Sequence, residues 1–500
     1  MSVIVIGAGH NGLTCAALLA KAGRKVTLLE ARDRIGGLAA KEDFGDGYAV
    51  PGILHDTRGV REQVVDSLGL AQFGLKRAEK SLRIAAPRAD GSTLWLEGDV
   101  MEGEQSAKDA DYYRGYREFI ARVGPTLRRL LDQPPPDPAG SLWPLLKTGI
   151  GVRRLGAVDM VELARVAPMA VADWMRDLFE EERVGAAIAA GAIEATFFGP
   201  WSAGTALTLL LREAVALREI VGGAAAVSDA LRQAAEAQGV TIRCAAPVRK
   251  IRATSTGVEG VVLDSGEQLD ATCVVSSCDP KQTFLELVGS NRIPVRLADD
   301  IRALRARGTT AKVHLALNGP LELSDGTEIA ALRSGDTLDQ IERAFDAVKY
   351  RGFSERPVLD VRVPSQDDAT LCPEGHHVVS IMVHYAAYAL EGGWTDEQRD
   401  ALGDNVVREL VRYCPSVRER IVEREVLTPH DLAERYRLTN GHLHHGEHAA
   451  DQLLFMRPSV DCADYTTPIP GLFLCGSGSH PGGGVTCAPG ALAAKAILRA

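Results

Sequence analysis

The sequence has 500 residues, of which 46% are hydrophobic and 24% charged, and this composition excludes a disordered chain, a coiled coil and collagen. Its 56 Lys and Arg residues against 66 Asp and Glu residues give a formal net charge of −10, so nucleic acid is not an expected partner. Nine cysteines without a C-x-x-C pair exclude a disulfide scaffold, a zinc ribbon and a redox dithiol, and they indicate reduced thiols in a cytoplasmic protein.

Neither a targeting segment nor a membrane span is predicted. Met1 is followed closely by the apolar run Val3 to Ile6, without a basic region or a cleavage site. Residues 184–217 are rich in Ala, Leu and Val, but Glu194 and Arg212 interrupt them, and a spanning helix needs about 20 predominantly apolar residues. We expect buried helices here, with peripheral contact to a membrane as the alternative.

The chain begins with a strand, a glycine loop and a helix. Val3 to Ile6 is typical of a strand buried on both faces of a parallel sheet. A G-x-G-x-x-G loop and an Ala- and Leu-rich helix, Leu13 to Ala22, follow it. The three glycines permit the turn, the approach of a pyrophosphate and the packing of helix on strand, and the helix N-terminus binds phosphate. The candidate cofactor-binding residues of the loop are Gly7, Gly9, His10, Asn11 and Gly12.

A second apolar run, Lys25 to Leu29, ends at Glu30, which lies 18 residues after Gly12. A carboxylate at the end of this strand accepts hydrogen bonds from ribose hydroxyls and repels a 2′-phosphate, so NADP is not expected. The strand, loop, helix and acid together predict a Rossmann-type dinucleotide site.

Residues 31–37, Ala-Arg-Asp-Arg-Ile-Gly-Gly, extend this pattern to E-x-x-x-x-x-G-G. The extension resembles that of amine-oxidase-type and phytoene-desaturase-type flavoproteins, which implies FAD rather than NAD. In that group the glycine pair lies close to FAD and a basic residue, here Arg34, helps to hold its phosphates. A solvated loop is the alternative for Arg32 and Arg34. The resemblance adds Ala31, Arg32, Arg34, Gly36, Gly37 and Leu38 to the predicted cofactor site.

A second strand–loop–helix unit lies near the other end of the chain. Residues 475–484, Cys-Gly-Ser-Gly-Ser-His-Pro-Gly-Gly-Gly, follow an apolar strand, and amides of such a loop can meet a phosphate or a flavin ring. This segment resembles the closing FAD motif of phytoene desaturases and carotenoid isomerases, and selected residues within 445–458 resemble the stretch that precedes this motif in those enzymes. In the detail of residues 475–484 the segment resembles the branch called pyridine nucleotide-disulphide oxidoreductase domain-containing protein two. The cofactor-binding residues implied here are Gly476, Ser477, Gly484 and Val485.

Residues 247–263 predict a hairpin that resembles the family element in which the backbone, here at Val248, pairs with adenine. Because the flavin motifs lie at both ends and near residue 250, the resemblance implies an α/β Rossmann-like fold with a discontinuous FAD lobe and an inserted α+β substrate lobe. The predicted FAD lobe comprises residues 1–75, 215–285 and 441–500. The predicted substrate lobe comprises 76–214 and 286–440, with a mobile loop at 132–151 and a central strand at 378–384.

Catalytic candidates are few, because a flavin carries the electrons itself. We choose His55, just after the first flavin segment, and His445, in a histidine-rich stretch, with structural roles as the alternative for both. His444 and His448 have the spacing of two metal ligands on one helix face. However, no further ligand completes a set and glycines 441 and 446 favour a loop, so no metal is expected.

The resemblance implies an FAD-dependent oxidoreductase that desaturates, saturates or isomerises an apolar small molecule by hydride transfer to flavin N5. The implied electron acceptor is O2 or a quinone. One alternative is a flavin amine oxidase that acts on a C–N bond. Another is a lipid or prenyl chaperone similar to the GDP-dissociation inhibitors, which share the fold without flavin chemistry. The sequence leaves the substrate and the oligomeric state open.

Overall fold

The structure, a computed structural model, describes residues 2–103, 106–135, 149–194, 196–254 and 256–500. Its strands in chain order are β1 Ser2–Ile6, β2 Lys25–Leu29, β3 Glu42–Asp43, β4 Ala49–Val50, β5 Arg83–Pro87, β6 Thr93–Glu97, β7 Val100–Glu102, β8 Thr241–Arg243, β9 Val248–Thr254, β10 Gly257–Leu263, β11 Gln268–Asp270, β12 Cys273–Ser276, β13 Thr310–Leu317, β14 Ala331–Arg333, β15 Phe353–Arg362, β16 His377–Ala386, β17 Ile421–Leu427 and β18 Leu472–Leu474. Its α-helices are α1 His10–Lys21, α2 Glu62–Leu68, α3 Ala107–Leu131, α4 Gly156–Val166, α5 Val171–Leu178, α6 Glu182–Ala189, α7 Thr205–Val215, α8 Gly223–Ala237, α9 Val295–Ala303, α10 Leu338–Lys349, α11 Asp396–Val411, α12 Val417–Arg420, α13 Pro429–Tyr436 and α14 Ala488–Ile497.

Five strands form a parallel sheet in the spatial order β8-β2-β1-β12-β18. The apolar side chains of β1 are buried, as expected for a central strand with helices on both faces. The strand order reverses at β1, and ligands of such sheets bind beyond the carboxyl ends of the strands at this reversal. The fold is therefore α/β with a Rossmann-like sheet, as predicted, whereas the boundaries of the two lobes stay a prediction.

An eight-stranded mixed sheet has the order β17-β13-β16-β15-β14-β5-β6-β7. The strand predicted at 378–384 is β16, which lies between β13 and β15. All eight residues of β13 are buried, and they include Lys312 and His314 in an otherwise mainly apolar strand. A smaller antiparallel sheet, β9-β10-β11, contains the hairpin predicted around residue 248.

The stretch 184–217 forms most of α6 and the whole of α7, and both helices bury apolar side chains. None of the helices that the structure describes is long and apolar enough to cross a membrane. α3 ends at Leu131. Most of the loop predicted at 132–151 lies outside the described residues.

Candidate functional site

A cleft that encloses about 1040 Å³ of empty space, part of it open to solvent, lies beyond the carboxyl ends of β1 and β2. We call it the nucleotide cleft. The predicted site residues that line it are Gly7, Gly9, His10, Asn11, Gly12, Glu30, Ala31, Arg32, Gly36, Gly37, Leu38, Val248, His445 and Ser477. Residues far apart in the chain therefore meet around one cleft.

The three glycines of the loop have different surroundings. A Cβ on Gly7, whose φ is +91°, would lie 2.4 Å from Ser277 Oγ, and a Cβ on Gly12 would lie 2.0 Å from the Gly7 carbonyl oxygen. On Gly9, the nearest atom to a Cβ would be the Gly36 carbonyl oxygen, 4.0 Å away. Gly7 and Gly12 thus serve the turn and the packing, whereas Gly9 leaves space that a pyrophosphate can use.

Helix α1 begins at His10, three residues before the predicted start. Its first backbone hydrogen bond runs from the Leu13 amide to the Gly9 carbonyl over 2.9 Å. The amides of residues 10–12 therefore have no partner within the helix, and these residues line the nucleotide cleft. The apolar pattern begins only at Leu13, which is why it did not reveal this first turn. These amides, at the positive end of the helix dipole, suit a phosphate.

Glu30 is buried at the end of β2. Its Oε2 accepts a hydrogen bond from the Ala8 amide at 2.7 Å, and its Oε1 accepts one from the Arg32 amide at 2.9 Å. Each carboxylate oxygen has a second lone pair, so both can still accept a ribose hydroxyl.

Several buried polar atoms of the nucleotide cleft lack a hydrogen-bond partner among the described residues. They include His10 Nε2, Asn11 Oδ1 and His445 Nδ1. Burial lowers the pKa of His10 to about 4, so its ring is neutral at physiological pH. Asn11 Nδ2 donates to Ser477 Oγ over 3.2 Å and so joins the two terminal motifs. Buried polar groups are nearly always paired, and this cradle therefore fits a polar dinucleotide such as FAD.

Four of the predicted cofactor residues lie outside the lining of the nucleotide cleft. The Arg34 guanidinium is partly exposed and faces Asp33, at 3.3 Å, and Asp43. Gly476 packs against the Ser277 carbonyl, which would lie 2.4 Å from a Cβ. Gly484 and Val485 line a neighbouring cavity. Arg32 does line the cleft, but its guanidinium binds Glu42 through two hydrogen bonds of 2.7 and 3.0 Å.

The neighbouring cavity, of about 910 Å³, lies beside α7, and we call it the helical cavity. Leu54 borders both the helical cavity and the nucleotide cleft. The apolar lining of the helical cavity includes Leu54, Leu131, Leu211, Val215, Leu453 and Val485. Residues from the stretch 184–217 thus face a cavity, but five charged side chains also line it: Asp56, Arg58, Arg61, Glu194 and Arg212.

These charges are paired with one another or with close neighbours. Arg212 binds Asp56 at 2.8 Å and also pairs with Glu194. Arg58 binds Asp56 at 2.9 Å, and Arg61 binds Asp132 at 2.6 Å. Burial alone would raise the pKa of Asp56, but Arg58 and Arg212 hold it well below its usual value. The lining of the helical cavity is therefore mainly apolar, and each of its charged side chains has a partner of opposite charge.

His55 lines a third cavity, which lies against the eight-stranded sheet and which we call the sheet cavity. His55 Nε2 lies 3.0 Å from Ser380 Oγ and in hydrogen-bond contact with Lys312 Nζ. Burial lowers the pKa of Lys312 well below its usual value, and burial together with Lys312 does the same for His55. Strongly shifted groups next to a cleft are candidates for proton transfer.

The histidine-rich stretch is a loop rather than a helix, so the arrangement of two ligands on one helix face does not occur. His442 Nδ1 accepts hydrogen bonds from the amides of His444 and Gly446. Residue His445 has a positive φ of 56°. As a result, His444 lines the helical cavity while His445 lines the nucleotide cleft.

Sequence reasoning missed Lys312, Glu194 and Arg437. Lys312 is buried in β13 and contacts His55, and Glu194 lines the helical cavity; only the tertiary structure brings them to these places. Arg437 is exposed, lines the nucleotide cleft and offers a cation to a phosphate. Its positive φ of 54° has no local sequence signal.

Comparisons with known proteins agree with this geometry. Residues 5–61 match the family described as NAD(P)-binding Rossmann-like domain, and residues 103–494 match the family of flavin containing amine oxidoreductases. The chain is 32% identical to pyridine nucleotide-disulfide oxidoreductase domain-containing protein 2 of Rattus norvegicus, over 99% of this chain and 93% of the relative. A lycopene-forming phytoene desaturase of Pantoea ananas is 24% identical, over 99% and 98%. A solved putrescine oxidase bound to putrescine has a TM-score of 0.60 at 17% identity, over 100% of both chains.

Proposed function

We propose, from the premise that this chain belongs to the family of flavin-containing amine oxidoreductases, that it oxidises the carbon skeleton of an apolar small molecule. The protein is an FAD-dependent oxidoreductase, and the residues that would hold FAD are those of the nucleotide cleft. When bound, FAD accepts a hydride from the substrate. Desaturation also releases one proton from the neighbouring carbon, and this proton needs an acceptor.

The observation that carries the proposal is the helical cavity next to the nucleotide cleft. Leu54 belongs to both linings, so a ligand in the cavity would lie beside the cofactor site. Leu211 and Val215 of α7 face the cavity together with Leu131. This aliphatic wall favours an apolar substrate because removing apolar surface from water is the main source of its binding free energy.

Lys312 and His55 are a candidate proton acceptor beside Leu54, which borders all three cavities. His55 follows Leu54 directly in the chain, and its Nε2 contacts Lys312 Nζ. Because burial and the neighbouring Lys312 lower the pKa of His55 well below its usual value, its imidazole is neutral at neutral pH and one ring nitrogen carries a lone pair. We assign the pair to take up the proton that desaturation releases.

A flavin amine oxidase is the second candidate, and the Glu194 carboxylate in the helical cavity favours it. A substrate ammonium group would, however, meet three arginines and two acids in this lining. None of the described residues that line the cavity is Phe, Tyr or Trp, so a cation would find no aromatic face there. These features favour the apolar substrate over the amine.

The test uses the FAD-loaded protein under argon. We would add phytoene in detergent micelles to one sample and putrescine to a second, and follow the loss of oxidised flavin absorption. Bleaching by phytoene or a related polyene supports the proposal, and bleaching by putrescine alone replaces it with amine oxidation. Binding of apolar ligands without any redox change on either substrate or flavin would indicate the chaperone class.

The reduced protein then identifies the electron acceptor. We would reduce the flavin by light and mix it with O2, a short-chain quinone or a polyene. Rapid reoxidation by one of them identifies the partner. Reoxidation by the polyene itself would indicate saturation or redox-neutral isomerisation rather than net desaturation.

A further inference from the structure

The helical cavity contains one polar side chain that the protein leaves unsatisfied. Among the described residues that line the cavity, only His444 has buried side-chain nitrogens without a hydrogen-bond partner, and both of its ring nitrogens are in this state. The side chain is 6% exposed, and the nearest carboxylate oxygen, Glu194 Oε1, is 3.9 Å from Nε2. That distance is too long for a hydrogen bond. An unpaired polar ring that faces a ligand cavity marks the place of a ligand's polar atom.

The ring of His444 is held in place by its surroundings. A Cβ on Gly483 would lie 2.3 Å from both Cβ and Cγ of His444, so only glycine lets the ring rest on this loop. The His444 carbonyl accepts a hydrogen bond from Arg457 Nη2 at 2.8 Å. The His448 ring packs at 5.0 Å between centroids, and its own Nε2 accepts the Gly483 amide at 3.1 Å. A ring fixed on several sides can select the position of a ligand atom.

The charge state of His444 defines what it can bind. Burial and the nearby Arg457 lower its pKa to about 3, so the ring is neutral at physiological pH. A neutral imidazole offers one N–H donor and one nitrogen acceptor. A hydroxyl group is the small neutral partner that can both accept and donate.

Charged partners suit the site less well. Glu194 is already paired with Arg212, and Arg212 is also bound to Asp56. A carboxylate ligand at His444 would lie near Glu194, and an ammonium ligand would compete with Arg212 for that acid. Both would disturb a compensated pair in a partly buried place, which is costly.

We propose that the substrate is an apolar molecule with a hydroxyl group, and that His444 holds this hydroxyl by hydrogen bonding while the aliphatic part lies against Leu211 and Val215. The inference rests on the proposed function and names the substrate class of the same cavity. It also makes His444 the residue that distinguishes an alcohol from a pure hydrocarbon of the same size.

The experiment compares two isomeric probes on the full-length, FAD-loaded protein. 1-Octanol and dibutyl ether have the same atoms, but only the alcohol donates a hydrogen bond. Their dissociation constants are measured from the change that they cause in flavin absorption. We expect wild type to bind the alcohol at least about tenfold more tightly, since the ether leaves a buried acceptor unpaired.

Three variants assign this preference to its cause. His444→Phe keeps a ring but removes both nitrogens, and we expect the two probes to bind almost equally. His444→Asn restores a donor and an acceptor and should recover part of the preference. Leu211→Ala is the matched control, because it removes apolar surface that both probes use and should weaken both alike. Flavin content and melting temperature show that each variant is folded.

The outcomes separate this inference from the function on which it rests. If wild type binds both probes equally, or if His444→Phe keeps the preference, the inference is wrong while the apolar cavity stands. If neither probe binds, the apolar substrate class is wrong and the inference falls with it. If octylammonium binds more tightly than both, and Glu194→Gln abolishes this, the cavity binds amines and the inference is overturned.

Discussion

The carboxylate of Glu30 holds the amide of Ala8, with 2.7 Å between Oε2 and N. Glu30 ends β2, whereas Ala8 belongs to the glycine loop that follows β1. The two strands are neighbours in register, so the carboxylate fixes the loop that faces the phosphate positions. We therefore expect Glu30 to act on a dinucleotide in two ways: it would accept ribose hydroxyls, and its hydrogen bond to Ala8 would hold the glycine loop in place.

Glu30→Gln should weaken FAD binding by about 1.5–3 kcal/mol, since hydrogen bonds to a buried charged group become bonds to a neutral one. The measurement is the FAD dissociation constant of the apoprotein by fluorescence quenching. Asp33→Asn is the control, because it makes the same change of charge on a side chain that is 75% exposed nearby. Equal losses in both variants would mean that only the general negative charge matters.

Gly9→Val should abolish FAD retention during purification, because the new side chain would occupy the open space before the helix N-terminus. Gly115→Ala serves as the control, since a Cβ there meets no atom within 4 Å and the residue lies inside α3. We expect the control to keep one FAD per chain. A yellow Gly9→Val protein with wild-type flavin content would show that the phosphates bind elsewhere.

The nucleotide cleft was predictable because its signals are local. The spacing of Gly7, Gly9 and Gly12 follows from one turn between a strand and a helix, and Glu30 follows from the length of the next strand. Arg34 shows the limit of such reasoning. The family resemblance suggested a phosphate contact, but the guanidinium of Arg34 pairs with the acidic residues Asp33 and Asp43, and Arg34 is not among the residues that line the cleft.

The proposed substrate side of the site was less predictable because elements distant in the chain form it. Lys312 lies in a strand that pairs on both edges and is buried on both faces. In such a strand the sequence alone does not show which face of the sheet a single lysine side chain points to. Glu194 was interpreted only as an interruption of an apolar stretch, whereas in the structure its side chain lines the helical cavity. His444 and His445 are adjacent in sequence, yet a positive φ at His445 directs them to two cavities.

Lys312→Met should raise the free energy of unfolding by about 1–3 kcal/mol at neutral pH, since a well-packed apolar side chain avoids the cost of burying a lysine whose pKa the burial lowers. Flavin reduction by the substrate should at the same time slow by at least about 100-fold, since the proton acceptor is lost. Urea unfolding and stopped-flow absorption measure the two effects. The exposed Lys250→Met should change stability by less than about 0.5 kcal/mol.

A loss of stability in Lys312→Met would contradict this assignment and make Lys312 a structural residue. The contact with His55 would then stabilise the fold rather than serve proton transfer. Retained flavin reduction in a stable Lys312→Met variant would leave His55 as the acceptor. His55→Phe would separate these roles, because it removes the ring nitrogens while Lys312 remains.

Stability should decrease as the pH falls below about 6.5. Burial lowers the pKa of His10 to about 4 and those of His442 and His444 to about 3, whereas unfolded histidines titrate near 6.5. Between these values the unfolded chain binds protons that the native protein does not bind. The free energy of unfolding then drops by up to about 1.4 kcal/mol per pH unit for each histidine. Urea unfolding between about pH 5 and about pH 7.5 measures this slope, and His444→Phe should reduce it by one proton.

NADPH should not reduce the flavin directly. The structure has one five-stranded parallel sheet within the described ranges, and its nucleotide cleft is the site assigned to FAD. The buried Glu30 carboxylate in that cleft would repel a 2′-phosphate. In the proposed reaction the electrons arrive from a substrate in the helical cavity and leave to O2, a quinone or the substrate itself. Stopped-flow mixing of the FAD-loaded protein with NADPH under argon should leave the oxidised flavin absorption unchanged over the time in which a true substrate bleaches it. NADH is the matched control, because it lacks the 2′-phosphate. Rapid flavin reduction by either nucleotide would show a second nucleotide site and would contradict the proposed path of the electrons.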